Sequence, residues 1–184
     1  MVHDAMRIAY APAAYYRPWQ ALYANANPEQ QRWLNTALIR QRRLPMPASL
    51  APPPEQLPRR LIGLWSRVPQ VASLMAAARL RDWLPSQRGC AALSPTLQAF
   101  MRAGHASQPA SVVPEYTDGD LADTLLLWGG AEVQALAPQL PAWLSARLSL
   151  PFASVPADPA RPPTGERADL DLFWTAVTYV EKLS

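Results

Sequence analysis

The chain has 184 residues, 49% of them apolar, which suits one folded domain with a sizeable core. Its 21 prolines and 7 glycines together make up about 15% of the residues, below the level of a low-complexity chain, and seven tryptophans also argue against disorder. A single cysteine excludes an intramolecular disulfide and a cysteine metal cluster.

The net charge of +3 is unevenly distributed. Residues 1–103 carry 13 arginines and four acids, whereas residues 104–184 carry four basic residues and ten acids. Such asymmetry indicates either pairing between the two halves or an electrostatically oriented partner, and the sequence leaves both open. No apolar run approaches the roughly 18 residues of a membrane span, and no secretory signal opens the chain, so we expect a soluble cytoplasmic protein.

The clearest helical pattern covers residues 29–43, where Asn27 and Pro28 are typical of an N-cap and a first helical position. We expect one stripe of this helix to face the core, and it consists of Trp33, Leu34, Ala37 and Leu38. A second face is polar and basic, and it consists of Arg32, Thr36, Arg40 and Arg43.

Proline marks two connectors. Six prolines between residues 45 and 58 predict an extended, polyproline-like connector; a docking peptide for an SH3-like groove is the less favoured alternative. Five prolines between 151 and 163 predict a flexible loop over 151–167.

Further helices are predicted from the apolar periodicity and the positions of proline, over residues 59–68, 70–84, 94–101, 138–150 and 168–183. Thr117 to Asp120 has capping-box spacing and opens another helix, whose inward side chains are Leu121, Leu125 and Trp128 and which Gly129-Gly130 interrupts. No alternating β-branched run predicts a strand. We therefore predict an all-α fold: one domain over residues 1–184, a compact bundle of about seven to eight short helices joined by proline-rich loops.

Residues with catalytic potential are few. A Cys90–His105 dyad is possible in principle, but a cysteine beside two alanines is more typical of a structural residue. Helix capping explains Asp118, Asp120 and Asp123 better than a metal site, because a calcium loop needs more oxygen ligands and a closing glutamate. No glycine-rich phosphate loop is present. We predict a protein that is not an enzyme and uses no cofactor, metal or small-molecule substrate.

Four fragments between residues 7 and 151 resemble, in order and approximate spacing, the K-type accessory protein of bacterial type III secretion systems (the SctK family, with YscK, PscK, MxiK and OrgA). They are Pro12-Ala13-Ala14-Tyr15 within 7–16, Leu34-Asn35-Thr36-Ala37-Leu38-Ile39 after a tryptophan, Pro58-Arg59-Arg60-Leu61-Ile62-Gly63-Leu64, and Trp143 followed by Arg147-Leu148-Ser149-Leu150-Pro151.

The resemblance implies a non-enzymatic adaptor in the cytosolic sorting platform of the injectisome. Its partners would be the cytoplasmic domain of the inner-membrane ring protein (SctD type) and the C-ring-like pod protein (SctQ type), which places it at the cytoplasmic face of the inner membrane. We expect one docking face to be basic, formed by Arg32, Arg40, Arg43, Arg59 and Arg60. The alternatives are a type III secretion chaperone or regulator and, less favoured, a nucleic-acid-binding protein.

Overall fold

The computed structural model describes residues 1–86, 90–103, 110, 113–114, 121–153 and 168–182. Their regular secondary structure is entirely helical, with no strand among the described residues, which confirms the all-α prediction. They contain nine α-helices, several of them joined through short 3₁₀ turns: α1 Val2–Tyr10, α2 Gln20–Ala24, α3 Pro28–Gln41, α4 Gln56–Gly63, α5 Val68–Arg79, α6 Pro95–Arg102, α7 Leu121–Gln134, α8 Ala142–Ser145 and α9 Leu170–Lys182.

The chain divides into two compact units. The first unit combines Met1–Ser66 with Leu136–Ala157, and the second combines Arg67–Ala135 with Asp158–Ser184. Each unit therefore draws on two separate stretches of sequence. The prediction of one domain over residues 1–184 stays a prediction.

In the first unit, α1 packs against α4 and α8, and α2 packs against α3. One apolar cluster joins the first 50 residues to the returning segment, because Leu150 packs with side chains from α3 and from the turns around it. Its buried members are Ala13, Tyr16, Leu34, Leu38, Leu44 and Leu150.

In the second unit, α5 is the central helix and packs against α6, α7 and α9. Nine of its 12 residues are buried, which is typical of a helix that is covered on all sides. The predicted inward side chains of α7, Leu121, Leu125 and Trp128, are all buried against the end of α5 and the segment after it. The apolar periodicity of α7 therefore predicted its buried side chains correctly.

Arg79 connects three elements of the second unit. Its side chain is buried, and its Nε lies 3.1 Å from Glu132 Oε1 on α7. Its terminal nitrogen lies 3.3 Å from Asp169 Oδ2, just before α9. Asp169 Oδ1 also accepts a hydrogen bond of 2.9 Å from Leu172 N and so caps α9. Here an arginine of the basic half pairs with two acids of the acidic half, so part of the charge asymmetry is neutralised inside this unit.

Proline does start several helices, as predicted, but two boundaries differ. The predicted connector 45–58 ends three residues early, because α4 begins at Gln56 and includes Pro58 in its first turn. Backbone N–H groups of a first turn have no partner within the helix, so proline is tolerated there. For the same reason α5 starts at Val68 with Pro69 in its first turn. Ser94 and Pro95 open α6 as expected, with Ser94 Oγ accepting from Leu97 N.

Two predicted helices are shorter in the structure. The pattern over 70–84 is helical only to Arg79, followed by a turn and the 3₁₀ segment Leu84–Ser86. The pattern over 138–150 contains only the four-residue α8 between 3₁₀ turns. Proline at 138, 141 and 151 explains this, since each removes a backbone donor. The predicted cap at Thr117–Asp120 and residues 154–167 of the predicted loop lie outside the described residues.

Gly129 and Gly130 do not interrupt α7, which continues through them to Gln134. A Cβ atom at Gly129 would lie 2.9 Å from Ala72 Cα and closer still to the Ala72 carbonyl group. Glycine is therefore required here by the close approach of α7 to the backbone of α5, not by a break in the helix.

Replacing Gly129 with alanine is expected to destabilise the protein by about 1–3 kcal/mol, because the new methyl group meets backbone that can yield only if the two helices separate. Urea denaturation followed by circular dichroism measures this change.

Gly63→Ala is the matched control. Gly63 is the exposed last residue of α4, where a Cβ would meet only the flexible Met1 side chain, 3.8 Å from its sulfur. The free energy of unfolding of the Gly63→Ala variant should be unchanged or raised by up to about 1 kcal/mol. Equal effects of the two substitutions would contradict the close approach of α5 and α7.

Candidate protein-interaction surface

Helix α3 carries three of the five predicted docking residues, and its start follows from local sequence. Asn27 Oδ1 accepts hydrogen bonds from Glu29 N at 3.0 Å and Gln30 N at 2.9 Å. Gln30 Oε1 accepts in return from Asn27 N at 2.9 Å, which completes a capping box, and Pro28 is the first helical residue. The predicted N-cap is confirmed.

The end of α3 is set by Arg43. The helix stops at Gln41, two residues before the predicted end, and Arg43 has a φ of +49°. Leu44 N donates to Ile39 O at 3.0 Å and Arg43 N donates to Arg40 O at 3.2 Å, the hydrogen bonds of a Schellman motif. Arg43 therefore occupies the left-handed position that glycine usually takes.

The rotation of α3 about its axis differs from the prediction. Two polar side chains turn inward: Asn35 Oδ1 accepts from Ala13 N at 3.0 Å, and Gln31 Nε2 donates to Tyr23 O and Ala26 O at 3.2 and 3.1 Å. Leu34 and Leu38 are buried between them as predicted, but Trp33 is 68% exposed. The expectation that Trp33 belongs to the core is wrong, because unpaired backbone groups of the preceding segment compete for the inward face.

The five predicted docking arginines are all exposed, and the structure divides them. Arg32, Arg40 and Arg43, here called the basic stripe, lie on or directly after α3, and no side-chain hydrogen bond or ion pair within the described residues engages them. Arg59 instead donates hydrogen bonds to the proline connector: its Nε lies 3.1 Å from Pro53 O and a terminal nitrogen lies 3.1 Å from Pro54 O. Arg60 is exposed on α4 beside it.

Arg42 is also exposed, but its side chain makes a contact within the first unit. Its guanidinium donates to Tyr16 Oη at 2.9 Å and lies 5.5 Å from the centre of the Tyr16 ring. This contact ties the end of α3 to the apolar cluster of the first unit. Of the arginines at the end of α3, Arg40 and Arg43 therefore face solvent, while Arg42 supports the helix.

Arg147 belongs to the first unit and its side chain is fully buried. Its Nε donates to Ile8 O at 3.1 Å. One terminal nitrogen donates to Pro45 O and Trp143 O, both at 2.7 Å. The other donates to Ala9 O at 2.9 Å and contacts Met46 Sδ at 3.6 Å. All five guanidinium N–H donors thus have acceptors.

Four of the five acceptors of Arg147 are carbonyl groups and the fifth is the Met46 sulfur, and no carboxylate pairs with it within the described residues. Ile8 and Ala9 lie in the last turn of α1, where carbonyls lack partners within the helix and the helix dipole is negative. Burial lowers the pKa of the Arg147 guanidinium and raises the pKa of the Tyr15 hydroxyl, and the interaction between the two groups partly offsets both shifts. Arg147 still remains charged at neutral pH, and Tyr15 Oη donates to Ile8 O at 2.6 Å.

The four fragments singled out in the sequence all contribute to the first unit. Tyr15 and Arg147 share the acceptor Ile8 O, and Asn35 holds Ala13 N. Trp65, directly after the third fragment, packs edge-on against Tyr15 with ring centres 5.2 Å apart. These fragments therefore support the scaffold beneath α3, a role that sequence reasoning had not assigned to Arg147. In the sequence, the feature that indicates this role is a single arginine within the otherwise apolar segment 143–152.

The residues considered for catalysis or metal binding are not gathered into a site among the described residues. Cys90 is a free thiol, partly buried against the apolar cluster of the second unit, as expected for a structural cysteine. Asp123 is exposed in the first turn of α7. His105, Asp118 and Asp120 lie outside the described residues.

Comparison with known families gives one clear result. The family model described as bacterial type III secretion apparatus protein (OrgA_MxiK) matches residues 5–182. No curated protein and no solved structure matched the chain. Within the described residues, every helix falls short of the length and apolar character needed to cross a membrane.

Replacing Arg147 with methionine is expected to destabilise the protein by about 3 kcal/mol or more, because the four carbonyl groups to which the guanidinium donates lose that donor. Arg147→Lys should cause a smaller loss, since an ammonium group keeps the charge but cannot reach all the acceptors. Arg40→Met, the same change at an exposed site, should stay within about 0.5 kcal/mol in urea denaturation. An Arg147→Met variant as stable as the wild type would contradict the described hydrogen-bond network.

Replacing Arg43 with glycine is expected to raise stability by about 0.5–1 kcal/mol, because a left-handed conformation strains an arginine and not a glycine. Arg42→Gly is the control: its φ of −91° needs no glycine, and the contact with Tyr16 is lost, so stability should fall. Thermal unfolding distinguishes the two, and a loss of stability in Arg43→Gly would contradict the assigned helix end.

Proposed function

The chain belongs to the OrgA/MxiK family of bacterial type III secretion apparatus proteins, and from this we propose that it is a non-enzymatic adaptor of the cytosolic sorting platform. In this role it links the cytoplasmic domain of the inner-membrane ring protein (SctD type) to the pods built from the C-ring-like SctQ-type protein. It acts at the cytoplasmic face of the inner membrane through these protein partners, without a cofactor or small-molecule substrate.

The exposed basic stripe is the observation that carries this proposal. The two buried arginines among the described residues are paired within the fold, Arg79 with two carboxylates and Arg147 with four carbonyl groups and a sulfur. Arg32, Arg40 and Arg43 instead present their charge to solvent from one helix that is capped at both ends. A rigid, cationic helix face over a scaffold of hydrogen bonds suits docking against an acidic protein surface.

The scaffold supports the proposal in a second way. Tyr15, Asn35 and Arg147 use their polar atoms on backbone groups of the first unit. These side chains therefore position helices and turns of the first unit. An adaptor needs this kind of rigid surface, since a preorganised face loses little entropy on binding.

Contacts at the rim of such an interface act mainly on the association rate and on orientation. Exposed cations attract an acidic partner over about a Debye length, so binding through the basic stripe should weaken as salt increases. The stripe therefore selects the orientation in which the adaptor meets its partner.

Charge reversal tests the proposal. The double variant Arg40→Glu, Arg43→Glu should lose most of its binding to one of the two partners, ring protein or pod protein, and keep its binding to the other. Pull-down of the purified partners from the source bacterium, repeated at low and high salt, measures this effect. Arg102→Glu on α6, an exposed arginine of the second unit, is the matched control and should bind both partners normally.

Arg43→Gly adds a control that charge reversal lacks. It removes one cation while we expect it to stabilise the fold, so weaker binding by this variant cannot reflect misfolding. Equal loss of both partners in the double variant would indicate misfolding. If the folded wild-type protein binds neither partner, the adaptor proposal is wrong.

A further inference from the structure

Trp33 lies on the exposed side of α3. At 100° per residue, it lies nearly opposite the buried line formed by Gln31, Leu34, Asn35 and Leu38. It is 68% exposed, the highest value among the large apolar side chains exposed in the described residues. A tryptophan in this position exposes a large apolar surface to water, which favours burial against another molecule.

The neighbours of Trp33 leave it uncovered. Thr36 is small and donates its hydroxyl to Arg32 O at 2.9 Å, and Ala37 has only a methyl group. Gln30 points back to the N-cap, where it accepts from Asn27 N. Arg40 lies two turns further along the same face, 7 residues away, with Glu29 one turn before Trp33. The result is an apolar side chain on a helix face whose exposed charge is predominantly positive.

The charges decide what kind of molecule covers Trp33. A second copy of the chain is disfavoured, because a two-fold contact would bring two basic stripes together. Nucleic acid is disfavoured, because three exposed arginines neutralise few phosphates and such binding is weak at physiological salt. An acidic protein surface fits both the tryptophan and the arginines, the residue types that dominate interface hot spots.

We propose that Trp33 is the anchor residue of the docking face: its indole enters an apolar pocket of a partner protein, and carboxylates around that pocket pair with the basic stripe. This rests on the proposed function, since it names the chemistry of the partner that the basic stripe meets. Tryptophan provides the binding strength and the arginines provide the orientation, so the two contributions differ in their dependence on salt.

Binding assays with the full chain test the proposal. The purified ring-protein domain and the pod protein of the source bacterium are titrated with wild type, Trp33→Ala, Trp33→Phe and Leu22→Ala at low and high salt. Trp33→Ala should weaken binding to one partner about 30-fold or more at both salt concentrations. Trp33→Phe should retain much of the wild-type affinity. Leu22 is 57% exposed on α2, and its replacement should change affinity less than about 3-fold.

The outcomes separate this inference from the proposed function. Trp33→Ala should unfold at nearly the same temperature as wild type, because the side chain is exposed, and Trp33→Phe tests the site if the alanine variant fails to fold. If the wild-type protein binds a partner and Trp33→Ala binds it equally well, the inference is overturned and the adaptor proposal stands. The inference is also overturned if Leu22→Ala matches Trp33→Ala. The same holds if Trp33→Ala instead abolishes self-association or binding to labelled DNA. Absence of wild-type binding to either partner overturns both.

Discussion

A buried positive charge must be compensated, and in the first unit this requirement is met by backbone. Arg147 directs its donors to carbonyls of α1, of the segment after α3 and of α8, so that three distant stretches of chain meet at one side chain. The carbonyls at the end of α1 need donors, and the guanidinium needs acceptors, so each satisfies the other. The position of the segment after α3, and with it the end of α3, depends on this exchange. The stability of the basic surface therefore depends on a residue that is not on the surface.

The unequal charge of the two halves has two explanations that apply at different places. In the second unit, Arg79 from the basic half is neutralised by Glu132 and Asp169 from the acidic half. In the first unit, Arg32 and Arg40 remain on the outside of α3. Internal pairing thus explains a buried arginine, while the exposed ones retain charge for another molecule.

Local signals predicted part of this structure, and non-local contacts decided the rest. Asn27 and Pro28 determine the start of α3 through atoms within three residues, so the sequence was sufficient there. The exposure of Trp33 depends on the hydrogen bond that Asn35 accepts from a backbone N–H 22 residues earlier, a contact that the apolar periodicity does not encode. The Gly129-Gly130 pair predicts a helix break from sequence, because the contact of Gly129 with Ala72 is tertiary and leaves no local pattern. Arg147 was missed as a structural centre because carbonyl acceptors have no residue signature. The basic stripe was predictable, since exposed arginines at helical spacing require only the period of the helix.

The order in which the ribosome makes the chain matters for the first unit, because its closing segment is synthesised last. Arg147 lies 139 residues after Ile8, so at about 5–20 residues per second the end of α1 waits roughly 7–28 s for its donor. During that interval the intervening second unit emerges complete up to α7, while the apolar side chains that later meet Leu150 remain uncovered. Fragments that stop before residue 147 keep α3 but lack the residue that secures its scaffold. A binding domain of this protein therefore cannot be defined by cutting the chain after its N-terminal helices.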